Sequence, residues 1–469
     1  MTPLLLSFAL AAPDVAAFDA ALDQAEATGG LYGEVVVLDG ATELYRRRLG
    51  GAPEGGAYRI GSISKSVTAA TVLSLVDDGE LGLDSAIHEV LPELTELADP
   101  PVTVHQLLTH TSGLPGLDIA PWSREPTFDE WLTGLRSNQL LAEREPPGSA
   151  HRYSNGGYLL LTEAIRRVDG RSYEASVRER LLDPLGLDSF HIHEGWNDVP
   201  GHLWTPLGRV ESRRALPHLL RHDARWDLGG AGAWSATVDD LAGWGTAWRD
   251  GQLLTPELRG AAITPALDHY ALGWVVDETG VWHNGALSPV GVYAYVRWSP
   301  DDDVVVAWVN AVDRSSVTPE VRALTGHLFD GEGPTLTPQG GGMATLAMLS
   351  WLWLPWWLAL PLLGGWFVWA RRPGRAKLAV AAGGMAVGGA TLLLLATSGW
   401  VGIAVALMGT AAATAAPWRG AEARRPKAWP LWAALGGLSL SAGVGWAGLV
   451  SFVYALIADP WAFFAAMAP

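Results

Sequence analysis

The chain has 469 residues and no cysteine, which excludes disulfides, thiol catalysis and thiolate metal sites. Through residue 342 it carries 24 basic against 47 acidic side chains, a balance that argues against nucleic acid as a partner and does not draw anionic substrates inward. Beyond residue 342 only Glu422 and Asp459 are acidic and half of the 24 tryptophans are found, so the two parts differ in kind.

Residues 4–12 are apolar and end in small side chains, which predicts a short export signal over 1–13, although the usual basic start is missing. A helix is expected over Val15–Ala27, then a hairpin of residues 33–38 and 43–49 turning at Asp39-Gly40. Residues 64–76 are apolar nearly all round and are stopped by Asp77-Asp78-Gly79, the pattern of a buried helix. Lys65, at its start, is the only lysine in the first 376 residues, whereas 23 arginines occur through residue 342. A guanidinium stays protonated at any working pH, while an amine desolvated beside a hydroxyl can act as a base. Positions three apart share a helix face, so the Lys65 amine falls within reach of the Ser62 hydroxyl at the helix N-terminus, where the dipole favours developing negative charge.

Further along, Tyr153-Ser154-Asn155 stands just before an apolar helical run from Leu159 to Ile165. The glycine-rich stretch 228–233 lacks the spacing of a phosphate loop and is expected as a tight turn before a helical segment over 235–249. Residues 280–283, 290–297 and 304–311 have strand character, with a turn at 300–303. The first of these strands runs into His283-Asn284-Gly285-Ala286, polar and then small. These elements give an α/β (α+β) fold: an antiparallel sheet built from both ends of the domain, flanked by helices and carrying a helical insertion.

Ser62-x-x-Lys65, Tyr153-x-Asn155 and His283-Asn284-Gly285, in that order and spacing, resemble the serine beta-lactamase and penicillin-binding-protein superfamily, in its class C beta-lactamase, D-aminopeptidase and family VIII esterase branch. The stretches 107–115, 184–189, 228–241 and 270–274 also look like signatures of that family. The resemblance covers residues 14–330 and implies its fold, with a helical subdomain. It makes Ser62 the nucleophile, Lys65 its partner base, Tyr153 the proton carrier to the leaving group, and Asn155, His283 and Gly285 substrate-binding residues. The backbone N–H groups of Ser62 and Ala286 would form the oxyanion hole. The substrate would be a small molecule or peptide, cleaved at an amide or ester through an acyl-enzyme, and no cofactor is implied.

Where beta-lactamases usually have lysine in the third motif, this chain has His283. Histidine with an ordinary pKa is mostly neutral at pH 7, which weakens recognition of a beta-lactam or terminal carboxylate. A D-peptidase or amidase and a carboxylesterase are therefore the expected activities. The alternatives are a beta-lactamase or DD-carboxypeptidase, and a non-catalytic ligand-binding sensor coupled to the membrane part, against which the intact Ser62, Lys65 and Tyr153 weigh. The pairs His218/His222 and His191/His193 lack the acidic residues of a ligand pattern, so no metal site is expected. His110 is expected to be a structural hydrogen-bonding residue.

Residues 331–342 have the composition of a flexible linker. Residues 343–370 carry no charge, residues 378–418 are uncharged over twice the length of one span with a break at Ser398-Gly399-Trp400, and 428–457 form a further span. About four membrane helices are thus expected over 343–469. The basic residues Arg371, Arg372, Arg375 and Lys377, and Arg419, Arg424, Arg425 and Lys427, fall in two clusters that share one face if two spans separate them. The positive-inside rule then places the hydrolase domain outside the cytoplasm, on a multi-pass protein of the cell (inner) membrane.

Overall fold

In the computed structural model, the hairpin turn at Asp39-Gly40 forms where the sequence places it. Gly40 adopts φ +58, a left-handed conformation that glycine reaches without steric cost. The strands it joins are β1 (Gly33–Asp39) and β2 (Thr42–Leu49). The structure describes residues 13–329 except 28–30, 117–126, 138–140, 142–143, 193–197, 206–207, 212–228, 288–290 and 314–316. Residues 1–12, the linker and all the expected membrane spans lie outside the described residues, as do His193, His218 and His222. The chain divides into two units, Met1–Gly342 and Met343–Pro469, and the described residues belong to the first. Among them no helix is long and apolar enough to cross a membrane.

Four strands from the far end of the domain complete the sheet: β3 (Val275–Asp277), β4 (Gly280–Leu287), β5 (Val292–Trp298) and β6 (Val304–Asn310). The order is β2-β1-β6-β5-β4-β3 and every pairing is antiparallel, so β1 and β6 join the two ends of the domain in register from Gly33↔Asn310 to Asp39↔Val304. Strand β6 is apolar at six successive positions because both faces are covered. Val306 and Trp308 enter one core and Val305, Ala307 and Val309 the other, as the two-residue repeat of a strand requires.

The helices framing the sheet are α1 (Val15–Ala27), α2 (Ser64–Asp77), α3 (Asn155–Asp169), α4 (Val238–Arg249) and α5 (Val317–Phe329). Helices α1 and α5 close one face with Phe18, Leu22, Val321, Leu324 and Leu328. On the other face α4 lies directly on the sheet. A β-carbon on Gly245 would stand 2.8 Å from Val305 and 3.1 Å from Val296, so a glycine inside the helix permits the approach. Trp244, Trp248, Trp274 and Trp298 fill the space around it, with Trp248 5.5 Å from Trp274 and 6.0 Å from Trp298 by ring centroids. Burying such a ring removes about 200 Å² from water, an upper bound of about 5 kcal/mol each.

Helix α2 is buried on nearly every side, which its polar residues survive by bonding locally. Ser66 Oγ donates to the Ile63 carbonyl and accepts from Trp244 Nε1, Ser64 Oγ accepts from the Trp234 N–H, and Thr71 Oγ1 donates back to the Val67 carbonyl. The segment expected as helix from 235 differs. Trp234–Ala236 is a short strand against Tyr58–Arg59, and the helix starts only at Val238, after Thr237 caps it by accepting from the Asp240 N–H. Pairing with residues 58–59 and the threonine cap override the helical pattern.

Candidate active site

Gly61, at φ +51, turns the chain out of the short strand at Tyr58–Arg59 into one turn of 3-10 helix, Gly61–Ile63, that continues as α2. Ser62 thus sits one turn before the helix proper, and Lys65 lies in the first turn of α2, wholly buried. Lys65 Nζ is 3.1 Å from Ser62 Oγ, 2.8 Å from Asn155 Oδ1 and 2.7 Å from the Ala231 carbonyl oxygen. Two of these neighbours are carbonyl oxygens and can only accept. An ammonium donates to all three, and a neutral amine donates to the two carbonyls and turns its lone pair to the Ser62 hydroxyl. The proton can therefore pass between Ser62 and Lys65 while every partner stays in place.

The carbonyl of Ala231 comes from the glycine-rich turn, Gly229–Ala231. A β-carbon on Gly230 would lie 2.4 Å from Thr68 Oγ1, so glycine lets this turn rest on α2, and the Gly230 carbonyl there accepts from Thr68 at 2.6 Å. Asn155 arrives from a different direction, as the first residue of α3. Ser154 caps that helix, its Oγ accepting from the Gly157 N–H while donating to the Pro115 carbonyl at 2.7 Å. Tyr153, immediately before, is 38% exposed, and its ring centre is 4.7 Å from Lys65 Nζ.

The third segment is the end of β4. Strand β3 pairs only with residues 280–282 of β4, which leaves the edge of β4 beyond that point for the Ile60–Ser62 segment. A β-carbon on Gly285 would lie 1.7 Å from the Ile60 carbonyl oxygen and 2.9 Å from Ser62 N, and one on Gly61 3.0 Å from Ala286 N. Two glycines, one on each side, bring the Ser62 and Ala286 peptides together. Ala286 is itself exposed.

His283 is buried, with both ring nitrogens engaged inside the protein. Its Nδ1 is 2.6 Å from the Asn284 carbonyl oxygen, which can only accept, so Nδ1 carries the hydrogen and Nε2 accepts from the Tyr270 hydroxyl at 3.0 Å. Burial, with Lys65 adding to it, lowers the imidazole to about 3, so it stays neutral at pH 7. His110 is also buried and held well below the ordinary histidine range, first by burial and then by Lys65. Its Nδ1 accepts from the Ser154 N–H at 3.1 Å, a structural bond of the kind expected for it. Tyr270 was visible in the sequence only within a signature stretch. Gly273 explains that stretch: at φ +78, with a would-be β-carbon 2.9 Å from the Lys65 carbonyl oxygen, it seats the Tyr270–Trp274 turn on α2. The Ala231 carbonyl had no side-chain signal apart from the neighbouring glycines.

His191 bonds Asp198 at 2.8 Å through Nε2 and the Ser189 carbonyl at 2.8 Å through Nδ1. Among the described residues no group of three or more histidine and carboxylate side chains could hold a metal ion.

A family model described as Beta-lactamase matches residues 17–325. Esterase EstB of Burkholderia gladioli is 34% identical over 284 residues, a match covering 50% of this chain and 70% of that protein. Penicillin-binding protein 4 of Amycolatopsis lactamdurans is 35% identical over 144 residues, covering 28% of this chain and only 34% of that protein. Among solved structures, the D-amino acid amidase of Ochrobactrum anthropi superposes with a TM-score of 0.55 at 21% identity, over 63% of this chain and 90% of that one. FmtA of Staphylococcus aureus gives 0.55 at 18% identity, over 67% and 91%. At these identities the structural likeness is one of fold.

Proposed function

The chain belongs to the beta-lactamase family and is a serine hydrolase within it, and from that premise we propose that Ser62 forms an acyl-enzyme with a neutral ester or amide substrate. The observation that carries the proposal is the set of three neighbours around Lys65 Nζ. In this reading Ser62 Oγ attacks the substrate carbonyl as its proton passes to Lys65. The oxyanion is held by the Ser62 and Ala286 N–H groups, and Tyr153 hands a proton to the leaving alkoxide or amine. Water then releases the acyl group by the reverse sequence.

Carboxylesterase and D-peptidase or amidase activities fit this site better than beta-lactamase or carboxypeptidase activity. A neutral His283 with both nitrogens occupied offers no cation to a substrate carboxylate. The esterase name of the Burkholderia relative agrees with that choice. Labelling with a fluorophosphonate, followed by turnover of a p-nitrophenyl ester, a D-alanine p-nitroanilide and a chromogenic cephalosporin, tests it. The ester or the D-anilide should be the faster substrate. Preference for the cephalosporin would overturn the substrate class, and no labelling of Ser62 would overturn the mechanism.

The proposal extends to residues 343–469 as a four-span anchor that holds the hydrolase domain outside the cytoplasm. Its support is the lack of charge in 343–370 and 378–418 and the confinement of basic residues to two clusters. No acidic or basic residue falls within the expected spans, which favours anchoring or assembly over ion transport.

A further inference from the structure

We propose that His110 is a positioning residue that sets Tyr153 beside Lys65 by accepting a hydrogen bond on each side of the tyrosine. The proposal rests on the reading of Tyr153 as the proton carrier. The His110 carbonyl accepts from the Arg152 N–H at 2.7 Å, and His110 Nδ1 accepts from the Ser154 N–H at 3.1 Å. The N–H groups of the residues on either side of Tyr153 are thus both tied to one residue. The ring of His110 also packs against Tyr153, at 4.2 Å between centroids, and against Tyr270 at 4.6 Å.

Two features of His110 have a cost that mere space-filling does not require. Its backbone is left-handed, at φ +58, a conformation uncommon outside glycine, which histidine, asparagine and aspartate take more readily than other side chains but still at some cost. With Nδ1 accepting, the ring hydrogen sits on Nε2, and that buried atom has no hydrogen-bond partner among the described residues. A phenylalanine would fill the same volume without an unsatisfied N–H. What it could not supply is the Nδ1 acceptor. Burial, reinforced by Lys65, keeps the imidazole neutral, so the acceptor persists at working pH. Holding Tyr153 through both neighbouring residues fixes an exposed side chain of the site relative to a wholly buried amine.

Asparagine and glycine at position 110 separate this role from simple packing. Both accept the left-handed backbone, but only asparagine places an acceptor oxygen where Nδ1 stands. In the full-length chain, with a p-nitrophenyl ester, His110→Asn should keep kcat within about threefold of the parent. His110→Gly should lower kcat about a hundredfold with KM changed less than about threefold, on the scale of a misplaced catalytic group. Thermal midpoints of both variants are measured alongside, and His110→Phe adds a ring without the acceptor. If glycine or phenylalanine keeps kcat, or if asparagine is as damaging as glycine at a similar midpoint, the proposal is overturned. Should His110→Gly fail to fold, the comparison of His110→Asn with His110→Phe decides. Tyr153→Phe, run in parallel, distinguishes the two failures: parental activity in that variant removes the role of Tyr153 itself, whatever His110 does.

Discussion

Gly285 and Ile60 approach so closely that a β-carbon on the glycine would lie 1.7 Å from the Ile60 carbonyl oxygen. No side chain can be accommodated there without moving either β4 or the segment that carries Ser62. The consequence falls on the two peptide N–H groups proposed to hold the oxyanion. Gly285→Ala should therefore reduce kcat by about a hundredfold or more, the scale of losing an oxyanion donor. Gly260→Ala is the matched control, since a β-carbon there meets nothing within 4 Å in the helix Pro256–Ala262. It should leave kcat unchanged and raise stability by up to about 1 kcal/mol. Equal activities for the two variants would show that the approach of β4 to Ser62 does not shape the site.

Lys65→Arg tests the proton role directly. Arginine keeps a positive charge and can still donate to Asn155 Oδ1 and the Ala231 carbonyl, but it cannot accept the Ser62 proton. A fall in kcat/KM of at least about a thousandfold is expected, comparable with Ser62→Ala. Retention of a tenth of the activity or more would show that only the charge matters, and the base would have to be sought elsewhere.

Some of this arrangement was legible in the sequence and some was not, for identifiable reasons. Val15–Ala27 and the Asp39-Gly40 hairpin follow from local periodicity and a turn dipeptide, and they appear as expected. The proximity of Ser62 and Lys65 follows from helical spacing, although Ser62 lies in a 3-10 turn rather than in α2 itself. Asn155 stands 90 residues from Lys65, and no local rule brings it to that amine; only the resemblance in motif order did. The Ala231 carbonyl and the two bonds of His110 involve backbone groups, which leave no residue-type pattern to read. The helix expected over 235–249 begins three residues late, at Val238, because the pairing of Trp234–Ala236 with residues 58–59 is non-local.

Stability should fall as the pH drops from about 7 toward 5. His283 is lowered to about 3 by burial and then Lys65, and His110, His151 and His105 are lowered as well, each chiefly by burial. In the unfolded chain these rings take up protons near the ordinary histidine value of 6.5, while the folded protein resists. Their contribution is complete above that value and is lost on acidification through the window down to each folded value, at about 1.4 kcal/mol per pH unit for each fully buried ring. His191, raised by its bond to Asp198, and Glu34, raised by burial, act in the opposite sense. Carboxylates held low, such as Asp169 and Glu163, lose their contribution only below about pH 4.5. The thermal midpoint measured by tryptophan fluorescence should thus already decline between pH 7 and 5. A flat profile over that range would mean the buried histidines open to solvent at little cost.

The anchor proposed over residues 343–469 fixes which loops face the cytoplasm. Two basic clusters separated by the uncharged stretch 378–418, long enough for two spans, imply that Arg372 and Arg425 face the cytoplasm. Ser62, the break at Ser398 and Pro469 then face outside. Because the chain has no cysteine, single cysteines report without background. Gln339→Cys, Gly399→Cys and Ala468→Cys should react with an impermeant maleimide in intact cells. Gly374→Cys and Ala421→Cys should react only after permeabilisation. Labelling at 421 from outside would mean that 378–418 crosses once, and the two basic clusters would then lie on opposite faces of the membrane. Failure of all five positions to distinguish intact from permeabilised cells would remove the anchor from the proposed function while leaving the chemistry at Ser62 untouched.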